Sequence, residues 1–261
     1  MILYPAIDLV GGKAVRLFKG DYAQMTVYSD DPVSVAKAFR QAGAKRMHLV
    51  DLEAAKSGIP ENTATIRAIL EQTDLFLEVG GGIRNMQILD AYLSLGVDRA
   101  ILGTAAVTDP QFLKEAVEKY GDKVAVGVDL KDGYVAIRGW TETSELTADA
   151  FFTRMEQLGV KTVICTDISR DGAMKGTNRE LYKTLSEKFS IDLIASGGVS
   201  TIEDIRALKE MGLISSLLST YNFDNINSVD DCKEHIIENI GFTEDDAQLL
   251  SEALWAAFKT N

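Results

Sequence analysis

The sequence has few of the residues that mark a disulfide-linked or metal-binding protein. Its 261 residues include only two cysteines and two histidines. Because Cys165 and Cys232 lie far apart, we expect reduced thiols in a cytoplasmic protein rather than a disulfide framework. With so few sulfur and imidazole ligands, the sequence predicts no zinc cluster.

Long apolar stretches and nucleotide-binding motifs are also missing. No apolar run approaches the roughly 20 residues that a membrane span requires. The first residues, "MILYPAIDLVGG", lack the basic start and the long apolar stretch of a signal peptide. Neither a Walker-type P-loop nor a dinucleotide fingerprint occurs. We therefore expect no membrane partner and no cofactor.

Basic residues are outnumbered by acidic ones. There are 27 Lys and Arg against 39 Asp and Glu, for a net charge of −12. This balance argues against a nucleic-acid partner and against an anionic membrane surface. A small anionic ligand remains possible, because backbone N–H groups at a helix start can hold a phosphate without a basic surface. The imbalance is concentrated in residues 213–261, which contain nine acidic and two basic residues.

Short β-branched or apolar runs alternate with amphipathic stretches along most of the chain. Stretches such as "DPVSVAKAFRQAG" and "DPQFLKEAVEKYG" begin with Asp-Pro and end with Gly, as helices do. Eight predicted strands that alternate with helices favour one (β/α)8 TIM barrel over residues 1–261. The alternative is an open doubly wound sheet. The predicted strands are 2–8, 46–51, 75–81, 99–103, 124–129, 162–167, 192–198 and 214–219.

An internal repeat favours the barrel over the open sheet. A shift of 121 positions superposes Asp8 on Asp129, and a shift of 116 superposes the later strand ends of the two halves. Two half-barrels, at about 1–122 and 123–240, explain this repeat. A binding site in the first half should then have a counterpart in the second. The shift of 116 places Gly43 on Gly159, Asp51 on Asp167, Asn62 on Asn178, Gly81-Gly82 on Gly197-Gly198, and Gly96 on Gly212.

Two aspartates are the candidate catalytic residues. Asp8 and Asp129 close the first strands of the two halves, so they should face each other across the C-terminal mouth of the barrel. Two opposed carboxylates suit a reaction in which one proton is removed and another delivered. The alternative is that each aspartate caps the loop that follows its strand.

Glycine-rich turns predict two phosphate sites on opposite sides of the mouth. Glycines between a strand and a helix let backbone N–H groups approach an anion, and the helix dipole adds attraction. The alternative is that these glycines only shape the turns. The candidate residues are Gly81, Gly82, Gly103 and Thr104 in the first half, and Gly197, Gly198, Ser219 and Thr220 in the second.

Several motifs together resemble the ProFAR isomerase family of histidine biosynthesis over roughly residues 1–212. They are "PAIDLVGGKAVRLFKGDY", "HLVDLEAAKSG", "EVGGGIR", "GTAAV", "GVDLKDGYVAIRGW", "TDISRDGAMKGTN" and "IASGGVSTIEDI". The resemblance implies a TIM barrel and an Amadori rearrangement. In that reaction the ring of a bis-phosphorylated aminoaldose opens and proton transfer yields an aminoketose, without metal or cofactor.

The resemblance also implies roles for individual residues. Asp8 corresponds to the general base that removes the C2 proton of the ring-opened Schiff base, and Asp129 to the acid that assists ring opening. Thr166, Asp171 and the adjacent Gly172 match positions that flank the reacting sugar. Arg16 and Trp140 match residues of mobile loops that close over the substrate. A partly exposed loop aromatic and a surface ion pair are the alternatives for Trp140 and Arg16.

Two other residues near the strands are interpreted as structural. His48 lies in the middle of "RMHLVD", where packing or hydrogen bonding explains it better than catalysis. Cys165 is interpreted as a core thiol.

The chain departs from the family pattern after residue 212. The family's last strand closes with Gly followed by Lys or Arg, where "SLLSTYNF" has Ser219 and Thr220. We expect a weakened second phosphate site, with Gly197-Gly198 holding most of the ligand. The sequence also predicts an extra acidic helix at about 243–258, either packed on the barrel or used for association. Otherwise we expect a monomer.

Three alternative functions are consistent with these residues. One is the related cyclase, which shares the aspartate pair but needs a glutaminase partner. Another is a bifunctional isomerase that also acts on phosphoribosylanthranilate. The third is a ligand-binding barrel that has lost turnover, which the altered residues 213–261 would suit.

Overall fold

Eight parallel β-strands lie side by side, and the first pairs with the last, so that the sheet closes into a barrel. This architecture comes from a computed structural model. The residues that the structure describes are 2–18, 20–41, 43–137, 140, 142–171, 176–199, 202–211, 213 and 215–218.

The barrel strands follow the order in which they occur along the chain. Each pairs in parallel with its two neighbours, and the last strand pairs with the first. The predicted (β/α)8 barrel is confirmed, and the open sheet is wrong because ring closure leaves no edge. The barrel strands are β1 Ile2–Val10, β4 Arg46–Asp51, β5 Phe76–Gly80, β6 Arg99–Leu102, β7 Val124–Lys131, β10 Thr162–Asp167, β11 Asp192–Ser196 and β12 Ser215–Leu218.

The two halves of the barrel repeat with the spacing that the sequence predicts. Strands β4, β5 and β6 each begin 116 residues before β10, β11 and β12 respectively. Asp8 lies in β1 and Asp129 in β7, the first strands of the two halves. The barrel therefore consists of two copies of a four-strand unit.

Helices separate the barrel strands and cover their outer face. Asp109 illustrates how they begin: its side chain accepts a hydrogen bond from the Phe112 N–H, and Pro110 occupies the first turn. The helices are α1 Pro32–Gln41, α2 Leu52–Ser57, α3 Thr63–Gln72, α4 Met86–Leu95, α5 Thr104–Thr108, α6 Pro110–Tyr120, α7 Ala148–Gln157, α8 Arg179–Lys188 and α9 Ile202–Glu210, with a 3-10 turn at Gly121–Lys123.

Two antiparallel hairpins extend the barrel at its C-terminal mouth. One consists of β2 Lys13–Phe18 and β3 Asp21–Ser29, and the other of β8 Tyr134–Ile137 and β9 Glu142–Thr147. The sequence interpretation placed Arg16 in a loop, whereas the structure places it within β2. The missed signals were Gly11-Gly12, between β1 and β2, and Asp132-Gly133, between β7 and β8, which are typical of tight antiparallel turns.

Two separate apolar clusters form the core. The larger fills the space between the strands and the surrounding helices. The smaller, which consists of Tyr4, Ile101, Ala125, Ile164 and Ile194, is enclosed by the strands themselves. Residues that alternate along a strand face opposite sides, so β1 contributes Tyr4 to the inside and Leu9 to the outside.

Some of the sequence predictions concern residues outside the described ranges. These are the site residues Gly172, Ser219 and Thr220, the half-barrel boundary near 240, and the predicted helix at about 243–258.

Candidate active site

Asp8 and Asp129 lie on opposite sides of the barrel mouth. In the closed ring β1 and β7 are separated by three strands in either direction. Each aspartate is close to the C-terminal end of its strand, and each is partly accessible from the mouth. A substrate bound across the mouth can therefore meet one carboxyl group from each half of the chain.

The surroundings of Asp8 act on its pKa in opposite directions. Burial raises the pKa above its ordinary value, and the positive charges of Arg16 and His48 lower it, while the negative charge of Asp171 raises it again. The net result is a raised pKa. Asp8 thus accepts a proton more readily than an exposed aspartate does.

Asp129 has a raised pKa for a related reason. Burial is the largest cause and raises the pKa, the hydrogen bonds from Trp140 and Thr166 lower it, and Asp171 raises it. The two hydrogen bonds hold the carboxylate form while they are present. Any ligand that draws the Trp140 indole away would favour the protonated acid.

The remaining polar candidates surround these two carboxyl groups. Thr166 of β10 pairs with Asp129 of β7. An Arg16 guanidinium nitrogen lies 3.7 Å from an Asp171 carboxylate oxygen, which links the first hairpin to the segment after β10. Gly20, in the turn of that hairpin, faces the Trp140 ring. The structure therefore brings Arg16, Trp140, Thr166 and Asp171 together around the aspartate pair.

Two other strand-end aspartates have structural roles. Asp51 is fully buried and accepts hydrogen bonds from the Ala54 N–H, from Asn62 and from the Tyr92 hydroxyl. Asp167 accepts from Ser169 and Asn178. Loop capping, the alternative considered for strand-end aspartates, applies to this pair.

The paired glycines are required by backbone packing. All four have positive φ: Gly81, Gly82, Gly197 and Gly198. A Cβ atom at Gly81 or Gly82 would overlap the carbonyl oxygen of Asp51 or Ala54. A Cβ atom at Gly197 would lie 2.7 Å from the Asp167 carbonyl oxygen. The turns thus need glycine whether or not they also hold a phosphate.

Gly103 differs from these four glycines. Its φ is not positive, and an added Cβ would meet no atom within 4 Å. Thr104 next to it is exposed and begins α5. Packing therefore does not require glycine at position 103.

A buried polar network below the mouth was not predicted from the sequence. His48, interpreted there as packed or hydrogen-bonded, is indeed buried, with its Nδ1 2.7 Å from an oxygen of Glu78. Glu78 also accepts hydrogen bonds from Arg99. The available signal was a charged residue within each of two apolar strands, "FLEVG" and "RAIL". Cys165, predicted as a core thiol, is fully buried, and burial raises its pKa.

Comparison with known proteins identifies the family of the chain. A family described as "Histidine biosynthesis protein" matches residues 2–224. The chain belongs to this family. The match extends past residue 212, where the resemblance in sequence motifs ended, and includes the described part of β12.

Relatives in the family are similar over most of their length. A protein of Listeria monocytogenes is 45% identical over 242 residues, which are 93% of this chain and 100% of the relative. A protein of Ruminiclostridium cellulolyticum is 46% identical, over 86% of this chain and 97% of the relative. One of Lactococcus lactis is 50% identical, over 79% and 85%. All three are named as the isomerase of a phosphoribosyl-substituted imidazole-4-carboxamide, the compound abbreviated ProFAR.

Neither a metal-binding cluster nor a membrane-spanning helix occurs among the residues that the structure describes. In that part of the chain, no three His, Cys, Asp or Glu side chains are grouped so that they could hold a metal ion. Nor does any described helix have the length and apolar character to cross a bilayer.

Proposed function

We propose that this chain is an isomerase that converts ProFAR, a bis-phosphorylated aminoaldose, into the corresponding aminoketose. The observation that carries the proposal is the pair of opposed carboxyl groups, Asp8 and Asp129, both with raised pKa. The identity of the substrate is inferred from the names of relatives that are about 45% identical to this chain. Two such groups suit a reaction in which one proton is removed and another is delivered.

In the proposed mechanism the two aspartates have different tasks. Asp129 donates a proton to the ring oxygen of the aminoaldose, the C1–O bond breaks, and a Schiff base forms. Asp8 then removes the proton from C2, and the resulting enaminol takes up a proton at C1 to give the aminoketose. Relative to the ring-closed aminoaldose, a hydrogen has moved from C2 to C1 and the C2 hydroxyl hydrogen is replaced by one on the former ring oxygen, so no oxidant or reductant is consumed.

Trp140 is proposed to control when Asp129 becomes an acid. Its hydrogen bond stabilises the carboxylate form of Asp129. A planar imidazole carboxamide offers the indole a stacking partner. If the indole moves onto the substrate, the pKa of Asp129 rises, and the proton becomes available where the ring must open.

The two phosphates of the substrate are proposed to bind at the glycine turns. Backbone N–H groups near Gly81-Gly82 and Gly103-Thr104 would hold one phosphate, and those near Gly197-Gly198 the other. The open space at Gly103 supports a ligand role, because packing gives no reason for glycine there. Ser219 and Thr220 would complete the second site, more weakly than the Gly-Lys or Gly-Arg of the family pattern.

Turnover of ProFAR by the purified chain tests the function. We expect conversion to an isomer of the same mass with no added ammonia, metal or cofactor, at a typical enzyme rate of about 1–10³ per second. Asp8→Asn and Asp129→Asn should each reduce kcat by about 10²–10⁴-fold. A wild-type rate below about 10⁻³ per second would instead support a ligand-binding barrel.

The biological setting is proposed from the same observations. The substrate is a small anionic molecule, and we infer a cytoplasmic enzyme that acts as a monomer. Sedimentation of the full chain tests the monomer: a mass of one chain supports it, and a stable dimer contradicts it.

A further inference from the structure

A row of charged and titratable side chains crosses three neighbouring strands inside the barrel. His48 of β4 pairs with Glu78 of β5, and Glu78 pairs with Arg99 of β6. On its other side His48 pairs with Ala6 of β1. Ala6 packs against the apolar cluster that the strands enclose. Because directly paired residues face the same side of a sheet, the whole row faces the barrel interior.

Glu78 is held from both sides. It has no exposed surface; one carboxylate oxygen is 2.7 Å from His48 Nδ1, and the other accepts from Arg99 Nε at 3.0 Å and from a second Arg99 nitrogen. Burial alone would raise its pKa, but the hydrogen bond and charge of His48 and the charge of Arg99 outweigh burial and lower it. An ionised carboxylate only accepts hydrogen bonds, so His48 Nδ1 must carry the proton.

Asp8 lies next to this row on the same face. It follows Ala6 by two residues in β1, so both point inwards. Asp8 pairs with Val50 of β4, which is two residues beyond His48, and His48 is therefore its diagonal neighbour. Positive charge on His48 favours the ionised form of Asp8.

We propose that Glu78, held by Arg99, is a positioning residue for the reaction: it accepts a hydrogen bond from His48 Nδ1–H and thereby fixes the His48 imidazole beside Asp8. The role of Asp8 as the base rests on the proposed function. The network pairs Glu78 with Arg99 in a barrel interior, where ions are costly unless paired. It also fixes the imidazole whose charge would lower the pKa of Asp8.

Other charged groups also face Asp8. Arg16 from β2 favours the ionised form, and Asp171, which follows β10, opposes it. The Tyr22 hydroxyl of β3 is close enough that the charge of Asp8 raises the tyrosine pKa. These groups lie at the C-terminal mouth of the barrel. Glu78 lies deeper in the interior, and in the proposal it affects Asp8 only through His48.

The imidazole nitrogens provide a direct test. The chain has only two histidines, His48 and His235, so long-range 1H–15N spectra of the full protein are readily assigned with a His235→Gln variant. In the wild type we expect His48 Nδ1 to be protonated. In Glu78→Gln, Arg99 can only donate, so the glutamine carbonyl should turn to Arg99 and its NH2 to His48. Nδ1 would then lose its proton, and His48 would become the neutral Nε2–H form.

Tyr4→Phe is the matched control. The Tyr4 hydroxyl accepts from Arg99 at 2.8 Å and from Arg46 at 2.7 Å, so its removal damages the same buried network away from His48. We expect the His48 nitrogen shifts of Tyr4→Phe to match those of the wild type.

The pH dependence of kcat/KM with ProFAR gives the second readout. The interaction with His48 lowers the pKa of Asp8, so its loss should move the acid limb to higher pH in Glu78→Gln. In Tyr4→Phe the limb should stay in place. A merely structural role for Glu78 would lower the rate without moving the limb.

Several results would overturn the proposal. One is a wild-type His48 whose Nδ1 carries no proton, a measurement that needs no variant and holds even if Glu78→Gln fails to fold. Another is an acid limb that stays in place in Glu78→Gln, or that moves equally in Tyr4→Phe. Absence of wild-type turnover would remove the isomerase function instead, and the imidazole spectra would still report whether Glu78 fixes His48.

Discussion

The two halves of the barrel share their backbone plan but differ in how their strand ends are held. In the first half, Asp51 accepts four hydrogen bonds, including one from the Tyr92 hydroxyl of α4. In the second half, Asp167 accepts three from the described residues, which exclude 172–175 of the adjoining loop, and the tyrosine of α8, Tyr182, donates to the backbone carbonyl groups of Cys165 and Ser196 instead. The two aspartates thus occupy equivalent positions in the two halves, but their hydrogen-bond partners differ.

The first half is also packed more closely at its glycine turn. An added Cβ would overlap a carbonyl oxygen at both turns: it would lie 2.0 Å from the Ala54 oxygen at Gly82 and 2.5 Å from the Gly176 oxygen at Gly198. The closer approach is in the first half.

The largest expected effect is on folding, from alanine at these glycines. Gly82→Ala should lower the free energy of unfolding by about 4 kcal/mol or more, because both the overlap and the positive φ oppose it. Gly198→Ala should cost less. Gly103→Ala, where an added Cβ would meet no atom within 4 Å, should cost the least of the three. Urea unfolding measures all three, and equal costs for Gly82 and Gly198 would contradict the closer packing at Gly82.

The capping aspartates should show the same asymmetry at a smaller scale. Asp51→Asn replaces one acceptor oxygen by a donor that faces the Asn62 N–H, and should cost about 3 kcal/mol. Asp167→Asn should cost about half as much, since fewer bonds depend on it. Urea unfolding at pH 7 measures both. A larger cost at Asp167 would mean that the second half is the more tightly held copy.

The catalytic aspartates should destabilise the fold at neutral pH. A carboxyl group whose pKa is raised on folding stabilises the fold below its unfolded pKa, and this stabilisation is lost as pH rises through the folded pKa. Asp8→Asn and Asp129→Asn should therefore raise Tm at pH 7, by about 2 °C. The gain over the wild type should shrink as the pH falls towards 4. Calorimetry across this range tests the sign, and a lower Tm at pH 7 would refute it.

The smallest expected effect concerns the second phosphate site. Ser219→Gly combined with Thr220→Lys restores the cation of the family pattern and should lower KM, by about tenfold or less. The change in kcat should be small. An unchanged KM would show that this segment does not limit substrate binding.

Much of the fold followed from the sequence because the repeat is long and regular. The alternation of strands and helices, the spacing of 116 residues and the positions of Asp8 and Asp129 were all readable from residue patterns. The two hairpins were not, since their short strands lie beside Gly-Gly and Asp-Gly turns that also suit loops. The Glu78 network was missed because a single charge inside an apolar strand gives no indication of its partners, which come from other strands.

The separate tasks of Asp8 and Asp129 are most directly tested by the pH dependence of kcat/KM with ProFAR for the wild type and the two asparagine variants. The wild type should give a bell-shaped profile, because activity is lost when Asp8 is protonated and again when Asp129 is ionised. The residual activity of Asp8→Asn should lack the acid limb, and that of Asp129→Asn the alkaline limb. If both variants keep both limbs, or if either retains the wild-type rate, the account of one carboxyl group from each half-barrel is contradicted.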